Sequence, residues 1–403
     1  MIDVYVLSVI GFFIILGVLI YRDRKNIEFK YILLIRRTKK GKKYINKIAE
    51  FSPKFWKIAS TIAIVFCIYI MFSTIISLVT TLRLVIVEKL PIPILQFIVP
   101  VPTAQPISGP GYIAIPFWFW IIVIPFVLFP HELSHGIILR AEKIRLSSVG
   151  LLLLTILPGA FVEPDEKQLE KSKLITKLRV FSSGSAANFM FAFILLMLTS
   201  YFVWPFFVSP GLLLAEVNET SPAGEIGLRA GMVIQKIDGK KIDISFDDFG
   251  IAYGLLIFSQ GDMSEENIQI VPASIPLVNI LKDYKPNDTL SLMVDGKNFN
   301  LTLGQHPENS TRPYIGILPK VNGKVNPKFA FSVLFPVTWL CIILSWGVAS
   351  FNILPIYPLD GGMIVDGIMK EISKKYRKKV VYIVTFLTLC LVISSIILPI
   401  FAT

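Results

Sequence analysis

Six long apolar runs dominate this 403-residue chain. They cover about residues 4–21, 56–83, 113–140, 178–208, 328–352 and 380–401, and each is long enough to cross a bilayer as a helix. Few folds are open to such a chain. In lipid, every backbone N–H and C=O must be satisfied within the protein, so the runs are read as helices packed in a bundle. The composition agrees, with 54% hydrophobic and only 17% charged residues, too apolar for one soluble domain. The net charge of +12 is not a nucleic-acid footprint, because the basic residues crowd beside the apolar runs. The first run, Val4 to Tyr21, lacks a positive region before it and a small-residue cleavage site after it, so it reads as a retained anchor. Cys67, Cys341 and Cys390 all fall inside apolar runs, which argues against a disulfide framework or a cysteine zinc site.

The connectors set an orientation. Residues 22–57 carry 13 Lys/Arg against 3 Asp/Glu, residues 368–379 carry 6 against 1, and residues 140–179 carry 8 against 5. The positive-inside rule turns these three toward the cytoplasm. Connectors 84–112 and 209–327 then face outward, the first with Lys89 as its one basic residue, the second with 10 basic and 14 acidic residues. The expected protein sits in the cell membrane, multi-pass, with both termini outside.

Two connectors are too apolar for ordinary loops. Residues 85–110 are β-branched and Pro-rich, and residues 146–163 are apolar around a Pro-Gly turn. Both read as re-entrant β segments, packed on protein or lining a wet cavity. Connector 209–327 reads as an inserted α+β domain. It has a strand from Gly211 to Val217, helical spacing from Ser245 to Phe258, and Asp-Gly hairpin turns at Asp238-Gly239 and Asp295-Gly296. The expected organisation is therefore a transmembrane hairpin over 1–112, a first membrane-core half over 113–208, the inserted domain over 209–327 and a second core half over 328–403.

The chemistry begins at His131-Glu132-Leu133-Ser134-His135, late in the third run. On a helix the two histidines share a face and can grip one metal ion, and Glu132 can take a proton from an attacking water. Only three histidines occur in the chain, and two of them sit here in an apolar segment where ionisable groups are expensive. Hydrolytic zinc takes three protein ligands and keeps one position open. The fifth run ends in Asn352-Ile-Leu-Pro355-Ile-Tyr-Pro358-Leu-Asp360-Gly361-Gly362. Runs three and five traverse the membrane in the same sense, so Asp360 reaches the depth of the histidines. Asp366 is the rival, six residues on and on nearly the opposite helix face, free to pair with Lys370. In the fourth run, Gly184 and its small neighbours favour close packing, and Asn188 offers an amide for a developing oxyanion.

H-E-x-x-H late in one span, G-x-x-x-N in the next, an external domain, then N-x-x-P-x-x-P-L-D-G resembles the site-2 protease family of intramembrane zinc metalloproteases. The motifs cover residues 131–135, 184–188 and 352–361, and the topology match runs over about 113–401. The resemblance implies Zn2+ held by His131, His135 and Asp360, with Glu132 as general base and acid. It also implies single-pass membrane proteins as substrates, cut within the bilayer. One departure is Ser185, where the family commonly has Pro. The inserted domain resembles a PDZ domain of the protease-associated type, on Ser221-Pro-Ala, Gly227-Leu-x-x-Gly231, Ile234-x-x-Ile237-Asp-Gly239 and Tyr314–Ile317 as a final strand. PDZ domains take a peptide ligand at a sheet edge.

A rival from another class is a receptor or scaffold with a structural metal closed by a fourth protein ligand, for which Glu163 is the candidate. A metal transporter is disfavoured, because one such motif and one aspartate make a site and not a pathway.

Overall fold

The computed structural model describes residues 4–31, 33–89, 96–109, 111–154, 157–258, 263–264, 266–325 and 327–401. Among the described residues, six helices are long and apolar enough to span: Val4–Asn26, Pro53–Val87, Phe117–Ala141, Leu174–Phe207, Pro327–Asn352 and Arg377–Pro399. The protein is a polytopic helical membrane protein with an inserted β-rich domain. The chain forms two compact units, residues 1–194 with 340–403, and residues 195–339.

The first unit holds the first, second, third and last spans, parts of the fourth and fifth, and two small sheets. Its strands are β1 (Ile27–Lys30), β2 (Leu33–Arg37), β3 (Phe97–Val101), β4 (Ile107–Gly109), β5 (Tyr112–Pro116), β6 (Leu146–Leu154) and β7 (Leu157–Pro164). One sheet has the order β1-β2-β6-β7 and the other β3-β5-β4. Strands β6 and β7 form an antiparallel hairpin across the Pro-Gly segment, in register from Ser148↔Glu163 to Leu154↔Leu157. Among the described residues, strand β7 pairs with β6 alone and no strand lies on its other edge.

The sequence led us to expect a plain basic loop over 22–57, and the fold differs. The loop contains the β1–β2 hairpin, which adds to β6, and a helix, Lys39–Phe51. The helix was hidden because eight of its thirteen residues are charged, Asn or Gly. Its apolar residues Ile45, Ile48 and Ala49 nonetheless fall at helical spacing and pack on Leu133 and Ile137 of the third span. Gly136 permits the approach, since a Cβ there would lie 2.9 Å from Ile45 Cδ1.

The second span buttresses the later motif. Cys67 and Met71 pack on Ile353 and Ile364, and Leu78 packs on Leu354 and Ile356. The first span is peripheral, with Val9 its one buried residue among those described, and it meets the start of the third through Ser8 and Trp118 Nε1 at 2.9 Å. Glu142, just after the third span, is buried and accepts from Arg179 at 2.7 Å and from Thr176 at 3.1 Å, and it lies 3.6 Å from Lys57. That network ties spans two, three and four together at the end where the motifs lie.

The fifth span ends at Asn352, and a new helix, Asp360–Ile372, begins at the aspartate. Pro355 and Pro358 cannot continue the helical ladder, which explains the break. Gly361 and Gly362 follow the aspartate at a tight fold. They let their own preceding segment fold back, because a Cβ on Gly361 would meet the Ile353 carbonyl and one on Gly362 the Ile356–Tyr357 backbone.

The second unit carries β8 (Val208–Val217), β9 (Val233–Ile237), β10 (Lys240–Lys241), β11 (Thr289–Val294), β12 (Lys297–Thr302), β13 (Gly304–His306), β14 (Asn309–Tyr314) and β15 (Ile317–Gly323). The main sheet runs β12-β11-β9-β8-β15, with β10 beside β9. Alternating Leu212, Leu214, Leu290, Leu292 and Leu301 are buried. Both Asp-Gly turns have positive φ at the two central residues, 45° and 75° at Asp238-Gly239 and 47° and 75° at Asp295-Gly296, as a tight hairpin requires. Tyr314–Ile317 is not one strand. Gly316, at φ 86°, separates β14 from β15, and β15 continues to Gly323 against β8. Between Phe258 and Tyr284 the inserted material includes a helix, Asn267–Leu281.

Candidate metal centre

The third span presents His131 and His135 one turn apart, with their Nε2 atoms 3.2 Å from each other. Asp360, the first residue of its helix, places Oδ2 3.4 Å from each of those nitrogens. All three side chains are at least largely buried, and their ligand atoms lie within 4.8 Å of one another. The His135 Nδ1 is 2.8 Å from the Val180 carbonyl. A proton on Nδ1 donated to that carbonyl leaves the Nε2 lone pair aimed at His131 and Asp360.

The donor set fits a small tetrahedral cation. A metal bonded to N and O ligands at about 2.0–2.2 Å has ligand-to-ligand edges of about 3.3–3.6 Å. The three observed separations fall at or next to that range. Asp360 Oδ2 and His131 Nδ1 have no hydrogen-bond partner among the described residues, an expensive state for a buried carboxylate unless a cation fills the centre. Among the described residues no further carboxylate joins the group. Glu163 bonds Ser148 and lies 3.9 Å from Arg37, at the far side of the hairpin. It is not a fourth ligand here.

The Gly184 position explains how a third helix can stand so near. A Cβ there would lie 2.7 Å from His131 Nε2 and would collide with His135 Nε2. The hydrogen atom of glycine is all that the space allows.

The three ligands line a cavity of about 470 Å3 together with Glu132, Val162, Asn352 and an apolar wall that includes Val180, Phe181 and Met363. Glu132 projects into it and accepts from the Val162 backbone N–H at 3.1 Å, which ties the carboxylate to strand β7. Asn188 is elsewhere. It is fully buried, is not part of that wall, and its amide atoms have no partner among the described residues. Asn352 stands on the wall instead. Sequence spacing made Asn352 the first letter of a Pro-broken motif, and that position before the break was the available signal. Asp366 is bound to Arg377, with Nε 2.6 Å from Oδ1, and not to Lys370. Lys370 reaches Glu170 across the helices, at 3.4 Å.

Six apolar helices and a His–His–Asp group beside a glutamate in one cavity define a membrane protein organised around a metal centre. The family model of peptidase family M50 matches residues 119–395, which include every ligand just described. The chain belongs to that family, the site-2 proteases, and is a membrane metalloprotease. Among its relatives, Uncharacterized protein MJ0971 of Methanocaldococcus jannaschii is 27% identical over 374 residues, spanning 91% of this chain and 87% of that protein. Putative zinc metalloprotease CPE1693 of Clostridium perfringens is 25% identical over 323 residues, 65% of this chain and 91% of the relative. Putative zinc metalloprotease FN1322 of Fusobacterium nucleatum is 23% identical over 313 residues, 64% and 91% respectively.

Proposed function

We propose that the chain is an intramembrane zinc protease that hydrolyses peptide bonds within the transmembrane segments of single-pass membrane proteins. The observation that carries this is the spacing of His131, His135 and Asp360 as one face of a tetrahedron, with Glu132 in the same cavity. Zinc is the metal that the two named relatives and the His–His–Asp donor set favour. When bound it would act as a Lewis acid toward the substrate carbonyl and the attacking water.

The chain's own residues do the rest. Glu132 takes the proton of the attacking water and hands it to the leaving amine. The Val162 N–H holds its carboxylate in place for both steps. The Asn352 amide, on the cavity wall, is better placed than Asn188 to hold the carbonyl oxygen as charge develops. A helical peptide bond is shielded by its own hydrogen bonds, so the substrate must unwind. The open edge of β7 offers it a strand partner beside Glu132. The connector charges argue for a cell-membrane protein with the metal end of the helices toward the cytoplasm and residues 209–327 outside. Peptide capture by a PDZ-like sheet edge in that domain would select among substrates.

The test is cleavage of a synthetic transmembrane peptide by the purified protein in liposomes, with products identified by mass. Chelator should stop cleavage and added zinc should restore it. Glu132→Gln should keep its zinc and lose on the order of a hundredfold or more in rate. Near-normal turnover by that variant would remove Glu132 from the mechanism.

A further inference from the structure

A second cavity, of about 170 Å3, adjoins the metal cavity at the ends of the fourth span and the helix Asp360–Ile372. The two share Glu166, Leu169, Phe181 and Met363, so they are neighbours along one wall. Three cations line the second cavity, Lys177, Lys370 and Arg377, and so do three carboxylates, Glu166, Glu170 and Asp366. Arg377 is neutralised by Asp366, and Lys370 is 3.4 Å from the exposed Glu170. Lys177 is different. The residue is buried, at 7% exposed, and no described carboxylate lies within ion-pair distance of its ammonium, Glu170 and Glu371 acting on it only from further off. A buried ammonium with no carboxylate in contact is a costly arrangement that an anion beside it would relieve.

The setting limits what the anion can be. A cavity of about 170 Å3 has room for a carboxylate and its hydration. Lys177 precedes Gly184 by seven residues, about 10 Å of helix, and Lys370 follows Asp360 by ten, about 15 Å. An extended peptide covers that distance in roughly three to five residues. Glu166, which lines both cavities and is exposed, repels an acid placed closer in.

We propose that this cavity is a specificity pocket for an acidic side chain of the substrate, roughly three to five residues from the cut bond on the flank that leaves the membrane beside the basic connectors. The proposal rests on the proteolysis reading above. The shared wall favours a substrate side chain over a lipid headgroup, because a headgroup has no reason to adjoin the metal cavity.

The experiment uses the full-length zinc-loaded protein in liposomes and a transmembrane peptide that it cuts. Asp or Asn is placed at each of the second to sixth positions from the cut bond on that flank. One position should show a preference for Asp of at least roughly tenfold in kcat/KM, the lower end of what a hydrogen bond to a charged group contributes. Lys177→Met should bring the Asp/Asn ratio close to one, Lys177→Arg should keep it, and Lys177→Glu should favour Lys at that position. In the Glu132→Gln background, peptide affinity should show the same ratio without turnover. Zinc content confirms that each variant is folded. An Asp/Asn ratio near one at every position in the wild type overturns the proposal, as does a ratio that survives Lys177→Met. A Lys177→Met defect equal for both peptides and tracking the anionic lipid content would identify a headgroup site and overturn it too. Failure of the wild type to cut even the neutral peptide is separate, and brings down the proteolysis reading itself.

Discussion

Gly184→Ala should disable the metal centre while leaving the helix that carries it better formed. In the helix interior Ala is favoured over Gly by about 1 kcal/mol, so secondary structure gains from the change. The added methyl has nowhere to go. It would sit 2.7 Å from His131 Nε2, about 0.7 Å short of an ordinary 3.4 Å contact, and would overlap His135 Nε2 outright. Either the fourth span moves away or both imidazoles rotate. Rotation breaks the His135 Nδ1 contact with Val180, and withdrawal of the span carries Val180 away with it, so both responses loosen the same ligand. Loss of such an outer partner typically costs 10–100-fold in metal affinity, and a misplacement near 1 Å at the reacting centre costs about a hundredfold in rate. The expected variant binds zinc 10–100-fold more weakly and, when saturated, cleaves a transmembrane peptide about a hundredfold more slowly. Competition with a zinc indicator gives the first quantity, and single-turnover cleavage at saturating zinc the second. Zinc affinity within twofold of wild type, together with normal cleavage, would refute the argument that the hydrogen of Gly184 is what the histidines need.

Asp360→Asn should lower zinc content and abolish cleavage, whereas Asp366→Asn should keep the metal and lose only its ion pair with Arg377, a stability change of about 1 kcal/mol. Zinc per protein measured on both in one detergent decides between them, and metal loss confined to Asp366→Asn would reverse the assignment. Asn352→Ala should slow cleavage by 10²–10³, the cost of removing an oxyanion donor, with zinc retained, while Asn188→Ala should act through packing and stability. Equal kinetic losses at unchanged thermal stability would contradict this division. Cysteines placed in 36–47 and 373–379 should be labelled from the cytoplasmic side alone and those in 218–312 from outside alone, and any exchange of sides would overturn the proposed orientation. In the inserted domain, Asp238 accepts from Tyr284 Oη at 2.7 Å and from the Ser291 N–H at 2.6 Å, which hold its carboxyl below the usual range. That stabilisation is present above the unfolded pKa and is lost as pH falls through the lower folded one. Asp238→Asn should therefore flatten the acid limb of a thermal unfolding series taken from about pH 6 to about pH 3. An unchanged acid limb would show that the two hydrogen bonds do not favour the charged form.

Much of this protein is legible in one dimension because its strongest constraints are local. An apolar run of more than twenty residues in lipid must be a helix, since no water is there to satisfy its backbone. Two histidines four apart on that helix must share a face. Asp-Gly between alternating strands must turn, because Gly and Asp tolerate the positive φ that the hairpin demands. Those rules locate the spans, the ligand candidates and the hairpins without reference to any neighbour.

Tertiary structure decided what depends on partners distant in sequence. The helix Lys39–Phe51 has too few apolar residues to announce itself, and it exists as a packed element because Ile45 and Ala49 find the third span. Asp366 meets Arg377 and not Lys370, since the chain turns back between two helices and brings a guanidinium closer than the next turn of its own helix. Gly361 and Gly362 serve a backbone that folds onto itself after Pro355 and Pro358, a direction that no spacing rule supplies. Asn188 and Asn352 are equally polar letters in apolar runs, and only the packing of spans four and five sets one inside the bundle and the other on the cavity wall. The sequence alone determines which side chains are able to do the chemistry. Their separations of 3.2 and 3.4 Å are the work of three helices brought together by a glycine and a broken span, because donor distances depend on packing, and packing is not a local property of the chain.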